Sequence, residues 1–239
     1  MNSLLSQVLD SYGGLEHWRC FTRLSATIVT GGKFWAMKGL IQDDHPRRMR
    51  VALDREWGSV DPFGDPNWLT DFTPERVVVV ARDGSVIAER AHPRTAFDGH
   101  IMTTPWEPLH RAYFNGYALW TYMTTPFVLA DSDVRVVEIA PLREGDETWH
   151  GLRASFPDRI ATHSRAQDFY FGPDGLMRRH DYHVDVAGGF AAAQLVSEFV
   201  EVQGLRFATR RRAYQREDDL RPKIDPLMVS IDITDIELQ

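Results

Sequence analysis

The chain has 239 residues, with 27 Lys+Arg against 34 Asp+Glu and a formal net charge of −7. A hydrophobic fraction of 43% suffices for a buried core, and the acidic balance argues against a general nucleic-acid binder, whose phosphate contacts need a basic surface. One cysteine, Cys20, excludes an internal disulfide framework and a multi-cysteine metal site, and no apolar run approaches the roughly 20 residues of a membrane helix.

The start reads as a helix. Asn2 or Ser3 can cap it, and Leu4, Leu5, Val8, Leu9 and Tyr12 follow helical spacing up to Gly13-Gly14. Arg19 is the first positive side chain, so no basic region precedes Leu4-Leu5 and the expectation is a cytoplasmic protein without a secretory signal. Leu15 to Phe21 reads as a second short helix. From Leu24 the period becomes two. Gly31-Gly32 reads as a hairpin turn between Ala26, Ile28 and the Phe34–Met37 stretch. Met49, Val51 and Leu53 alternate with Arg48 and Arg50, and Val77 to Val80 returns through Asp83-Gly84 to Val86-Ile87 as a hairpin. Residues 54–74 carry Trp57, Phe63, Trp68 and Phe72 among Gly, Pro and Asp, which predicts a long loop with aromatic anchors.

One strong helix interrupts the strands. It opens at Pro105 or Pro108, with Thr104 to Glu107 spaced as a capping box, and stops before Pro126. From Leu109 to Thr124 it is apolar nearly all round and lacks Lys, Asp and Glu, so it should be buried. Leu109, Tyr113, Tyr117 and Trp120 share one face; Phe114, Ala118 and Tyr122 share another. Past it, segments 159–171, 176–186, 190–202, 205–216 and 227–238 form a meander whose short turns make neighbours antiparallel. No linker divides the chain, and residues 1–239 are expected to be a single domain.

The Tyr12-Gly13-Gly14 helix end, the strand meander, the buried helix, the segments DFYFGPDGLMRRHDY (168–182) and AAAQLVSEFVEVQGLRFATRRRAY (191–214), and the closing VSIDITDIEL (229–238) together resemble the bacterial outer-membrane lipoprotein carrier (LolA/LppX-like) superfamily. The resemblance implies an α+β fold, a curved antiparallel half-barrel with helices in its concave face around a cavity for acyl chains. The carriers are exported, and with no signal expected here, transport across a periplasm is not implied; a cavity for an apolar ligand is.

Turn chemistry predicts a register. A three-residue Pro173-Asp174-Gly175 loop pairs Gly172 with Leu176, a two-residue Gly188-Gly189 turn pairs Ala187 with Phe190, and a two-residue Gln203-Gly204 turn pairs Val202 with Leu205. The second pairing gathers Tyr182, Val184, Val186, Ala191, Ala193, Leu195 and Phe199 on one face. Arg179, Glu198, Asp181, His183, Asp185 and Gln194 fall on the other, the division expected of a half-buried sheet. The apolar face then carries a polar row of Asp168, His180, Ser197 and Arg210, about one strand spacing apart. Buried polar groups must pair, so this row is a closed network or a ligand contact.

Asp168, His180 and Ser197 have the residue types of a nucleophilic triad, but Ser197 lies mid-strand without an elbow turn or oxyanion hole, so a structural row is the better reading. Arg210 is placed to hold the anionic end of an amphiphile. His180 and His183 face opposite sides of a strand and cannot share a metal ion; His163, His183 and Asp185 read as a solvated outer cluster. His110 is either a general base or a core histidine bonded to backbone. Trp106, Tyr113, Tyr117, Trp120 and Tyr122 place several amphipathic rings on one helix, as a pocket wall would. No metal or cofactor motif is present, and none is expected.

The expected function is therefore binding of an apolar or amphiphilic small molecule in the concave face. Tyr113, Tyr117, Trp120 and Trp106 would form the wall, and His180, Tyr182 and Arg210 would fix the polar end. The alternative is a cofactor-independent cyclase, isomerase or hydrolase using His, Tyr and Arg in the same pocket, distinguished by whether His180 or His110 is free to face it. Ligand, reaction and oligomeric state are not legible in the sequence.

Overall fold

The computed structural model describes residues 3–41 and 43–239; the Asn2 cap lies outside them. Its helices are α1 (Ser3–Ser11), α2 (Leu15–Trp18), α3 (Phe34–Met37) and α4 (Pro108–Thr124). The first group of strands is β1 (Arg23–Gly31), β2 (Arg47–Ala52), β3 (Gly58–Asp61), β4 (Trp68–Thr73), β5 (Arg76–Ala81) and β6 (Val86–Ala91). The second is β7 (Arg135–Glu144), β8 (Glu147–Ser155), β9 (Ala166–Phe171), β10 (Met177–Val184), β11 (Phe190–Val202), β12 (Leu205–Arg216), β13 (Pro222–Lys223) and β14 (Val229–Leu238).

Two meanders become one antiparallel sheet because β14 lies between β1 and β12, giving the order β6-β5-β4-β3-β2-β1-β14-β12-β11-β10-β9-β8-β7, with β13 beside β12. The chain leaves one sheet edge at β6 and re-enters at the other edge, β7. Its path between them carries α4, which crosses the concave face. The expected half-barrel around a central helix is what the chain forms. Among the described residues no helix is long and apolar enough to cross a membrane.

Helix α4 starts at Pro108, not Pro105. Glu107 is the N-cap: its carboxylate accepts from the first-turn backbone while the His110 ring accepts the Glu107 N–H. Every residue from Leu109 to Thr124 is buried, Arg111 included, as the absence of Lys, Asp and Glu foretold. The helix backbone packs closely on β2 to β6. Gly116 permits this, since a Cβ there would lie 2.1 Å from Cγ of Phe72 on β4. The opposite end of the half-barrel is plugged by α1 and α2, where Leu5, Val8 and Leu9 are buried and Trp18 stacks on Phe127 at 4.3 Å.

Two local expectations fail, and two strands carried no expectation. Gly31-Gly32 does not turn a hairpin: Phe34–Met37 is α3, and Gly32 sits where a Cβ would meet the Met228 carbonyl at 2.2 Å. The 54–74 loop contains β3 and β4, strands too short to write a period among Gly, Pro and Asp. Strands β7 and β8 extend the second meander; β7 is an exposed edge, so no buried face prints an alternation on it.

The register corrects the predicted row. Strands β11 and β12 pair as expected, Val202 with Leu205 and Ser197 with Arg210. Strands β10 and β11 do not. The chain leaves the sheet in a 3-10 turn over Asp185–Ala187 that buries Val186 and Ala187, so Val184 pairs with Phe190 and His180 faces Gln194, not Ser197. That odd offset exchanges the faces of β11. A bulge between Met177 and Arg179 then places Asp168 opposite Asp181, not His180.

Candidate functional site

The bulge and the 3-10 turn assemble a different inward row from the one expected. Gln167 of β9, His180 of β10, Gln194 of β11 and Arg211 of β12 project into the concave side, each 2% exposed or less. His180 stacks on Phe169 at 4.3 Å, and its Nε2 donates to Gln167 Oε1 at 2.6 Å. The direction follows from the amide, whose Nε2 donates to Thr162 Oγ1 and to the Ser164 carbonyl, leaving its oxygen as the acceptor. Arg211 donates from Nη1 to Gln194 Oε1 at 2.9 Å and from Nη2 to the Tyr122 carbonyl at 2.8 Å, and lies 4.8 Å from the Tyr122 ring centre. Burial lowers its pKa, and nearby tyrosines oppose that shift.

His163, expected on the outer surface, is fully buried inside. The segment between β8 and β9 folds inward, laying its ring 4.0 Å from the Tyr182 ring and nearly parallel to it. Its Nε2 lies 2.6 Å from the Tyr122 hydroxyl and its Nδ1 3.4 Å from that of Tyr117; the Tyr122 hydroxyl also meets that of Tyr182 at 3.2 Å. Burial pulls the His163 pKa down to about 3 and holds that of His180 well below the usual value, so both rings are neutral near pH 7. The same burial holds the Tyr117 and Tyr182 hydroxyls well above their usual range.

Above this network lies an apolar slot of about 30 Å³ between α4 and strands β1, β14, β12, β11 and β10. Phe114, Ala118 and Tyr122 line it from the helix, facing Tyr182, Ala192 and Ile231 from the sheet. Of the expected ligand contacts, Tyr182 lines the slot. The Tyr113, Tyr117, Trp120 face does not, because Gly116 turns the neighbouring side of α4 onto the other half of the sheet. Tyr113 packs on Phe72 and borders an open cleft of about 460 Å³. Trp120 donates to the carbonyls of Ala52 and Arg55 and borders a second cleft of about 610 Å³. Tyr117 is buried against His163, and Trp106 packs among Phe34, Phe97 and Phe114. The signal for the slot face was present in α4: Gly116 marks a close-packed side, and the slot takes the face with Phe114, Ala118 and Tyr122.

Arg210 is corrected. It lies 46% exposed on the convex side, paired with Glu198 at 2.6 Å, and cannot hold a ligand in the concave face; its neighbour Arg211 is the inward arginine. Ser197 is exposed on that same outer side, and Asp168 is held by both arms of Arg153 at 2.6 and 2.8 Å. The triad therefore has one member inside and two outside. His110 is also committed: Nδ1 accepts from the Glu107 N–H and Nε2 donates to the Ala96 carbonyl at 3.2 Å.

The two clefts share Pro74, Glu75 and Ile160 along the seam of the half-barrel. Glu56, on the wall of the larger cleft, accepts the Ala161 N–H at 3.0 Å through Oε2. Burial first, and then Glu75, hold its carboxyl well above the usual range. Its spacing from other carboxylates offered no sequence signal.

No family model matches the sequence, and no curated protein matches it significantly. Solved structures do match in fold. A LolA superfamily protein of Nitrosomonas europaea superposes with a TM-score of 0.54 at 10% identity, over 98% of this chain and 92% of that one. A DUF1329 family protein of Desulfovibrio piger gives 0.57 at 9% identity, over 100% and 94%. A domain of Vibrio parahaemolyticus described as outer-membrane lipoprotein-sorting gives 0.52 at 9%, over 96% and 93%. The chain has the LolA-like half-barrel fold.

Proposed function

We propose that this protein binds an apolar or amphiphilic small molecule, lipid-like or polyketide-like, between the Phe114, Ala118, Tyr122 face of α4 and the facing strands. The carrying observation is the slot itself. The helix backbone is fastened to β2–β6, while its other face meets β10–β12 and β14 through side chains that leave an apolar gap. At about 30 Å³ the gap holds water-sized molecules, well below the roughly 300 Å³ at which small-molecule pockets begin. Loading therefore requires that face of the helix to separate from the sheet. A fold shared with a lipoprotein-sorting domain supports the reading. Binding is favoured over the catalytic alternative because His180 and His110, the two histidines named for acid–base work, are both bonded to protein groups.

The test is titration with N-phenyl-1-naphthylamine, a neutral probe that fluoresces in apolar surroundings. Saturable micromolar binding is expected, and Ala192→Phe, which fills the slot from β11, should weaken it about tenfold or more. Ala213→Leu, on β12 across the same slot, repeats the test should the first variant melt early. Absence of saturable binding by the folded wild type, or unchanged binding in both folded variants, overturns the proposal.

A further inference from the structure

At the end of the slot opposite the histidine network, buried hydrogen-bond donors outnumber acceptors. Trp35 and Asn115 line the slot, and among the described residues Trp35 Nε1 and Asn115 Nδ2 meet no acceptor. One helical turn before Asn115, and on the same side of α4, Arg111 stacks over Trp35 at 4.8 Å and lies 5.9 Å from the Phe63 ring. Its Nη1 donates to the Ile41 carbonyl at 3.0 Å, while among the described residues its buried Nε and Nη2 meet no acceptor. Arg47 of β2 adds a second guanidinium, 1% exposed. Its Nη2 donates to Thr30 Oγ1 at 2.5 Å, its Nε lies 3.4 Å from Asp43 without a bonding geometry, and among the described residues its Nη1 meets no acceptor.

Two buried guanidiniums beside one carboxylate leave an uncompensated positive charge, and burying such a charge is costly unless something neutralises it. The planar forks of two arginines suit a carboxylate or phosphate, which accepts several charge-assisted bonds at once. The aromatic walls at Trp35 and Phe63 hold Arg111 against reorientation. Each of the two Arg111 donors without a partner is one that an anionic head would occupy, and the Trp35 and Asn115 donors lie at the junction with the apolar slot.

We propose that Arg47 and Arg111, with Trp35 and Asn115, form the receptor for the anionic head of the slot's ligand, a carboxylate or a phosphate monoester joined to an apolar body. This rests on the slot being the binding site. It assigns to the buried Arg47–Arg111 pair the role that the convex Arg210 cannot fill. Asp43 is then the internal competitor for Arg47, a carboxylate displaced or shared when the ligand's own anion arrives. The guanidiniums donate and transfer no proton, so the role is recognition.

The experiment is displacement of N-phenyl-1-naphthylamine by dodecanoate, dodecyl phosphate, dodecanol and dodecylammonium, with inorganic phosphate and acetate as free-anion arms. Dodecanoate and dodecyl phosphate should displace the probe at concentrations roughly ten- to a hundredfold below dodecanol, the range set by a lost charged hydrogen bond. Dodecylammonium should be weakest, and the free anions should fail at the concentrations where the amphiphiles succeed. Arg47→Met and Arg111→Met should each erase the preference for anions while leaving affinity for the neutral probe within about twofold. Asp43→Asn, a half-exposed position, covers the case that either arginine variant unfolds; it should sharpen the anion preference severalfold. Equal potency of dodecanoate and dodecanol, or an anion preference unmoved in folded variants of both arginines, overturns the proposal. Free phosphate competing as well as dodecyl phosphate overturns its assignment to a head group. Failure of the neutral probe to bind at all is the separate failure of the slot reading.

Discussion

The two faces of strands β9 to β12 handle buried polarity by opposite means. The convex face uses matched charges. Asp181, 2% exposed, takes both arms of Arg179 at 2.6 and 2.8 Å and a third bond from Arg216 at 3.1 Å, Arg153 holds Asp168, and Arg210 holds Glu198. The concave face uses neutral partners: imidazole, amide and phenol groups bonded to one another around His163 and His180, with Arg211 resting on an amide, a carbonyl and a ring. The Arg153–Asp168 and Arg210–Glu198 pairs reach water through their exposed arginines, where residual charge is screened, whereas the buried Asp181 is neutralised by two guanidiniums. On the dry side a charge without a counter-ion raises the cost of burial, and burial keeps both histidines neutral. The difference shows how a polar row can sit beside an apolar slot without closing it.

The largest break in this comparison should come from the most buried ion pair. Asp181→Asn keeps the shape and strands the Arg179 and Arg216 charges; a loss of about 3–5 kcal/mol in urea unfolding is expected, the usual cost of removing one partner of a buried pair. A loss below 1 kcal/mol would show that the convex cluster is hydrated in solution. On the concave side the corresponding cut is smaller. Gln194→Leu removes the acceptor of Arg211 Nη1 and should cost about 1–3 kcal/mol. Adding Arg211→Met should recover part of that loss, because the orphaned charge then leaves with its partner.

Acid sharpens the comparison. His163 has a folded pKa of about 3, below its unfolded value near 6.5, so between these values the unfolded chain binds more protons. Its contribution is complete above about pH 6.5 and is lost as pH falls toward 3, at up to about 1.4 kcal/mol per pH unit. Unfolding free energies at pH 7 and pH 5 should therefore differ less in His163→Gln than in the wild type. An identical slope in the two would mean that His163 is not buried as a neutral ring. The smallest effect belongs to the surface: Arg210→Met should leave the melting temperature unchanged, since both partners of its pair are half in water. A marked drop in the melt would place Arg210 inside and reverse the assigned faces.

Much of the architecture was legible because it rests on local chemistry. The Gln203-Gly204 turn set the β11–β12 register correctly, residue for residue, and the nearly all-round apolar surface of α4, without Lys, Asp or Glu, announced its burial. The candidate site was less legible because it depends on parity. One bulge after Met177 and one 3-10 turn after Val184 each shifted a strand, exchanging Asp168 for Gln167, Ser197 for Gln194 and Arg210 for Arg211 in the inward row. His180 and Tyr182 kept their inward placement, because their own strand was the one from which the others were counted. Alternation reports which residues share a face within a strand, but a turn of unexpected length changes how two strands match, and side-chain chemistry in a polar-rich meander fits either parity.

Periodicity by itself determined the strand meander, the buried helix and the presence of a polar row among apolar strands, because each follows from hydrophobic spacing and the cost of burying charge, while the half-barrel was implied by the family resemblance. Tertiary structure alone decided which face of α4 looks into the slot and where the buried cations meet. The close approach of Gly116 to Phe72 rotates Phe114, Ala118 and Tyr122 toward the opposite strands, and it is packing between elements distant in sequence that brings Arg47 of β2 near Arg111 of α4, which stacks on the slot residue Trp35. Contacts of that range leave no period along the chain, so only the folded backbone could bring them into view.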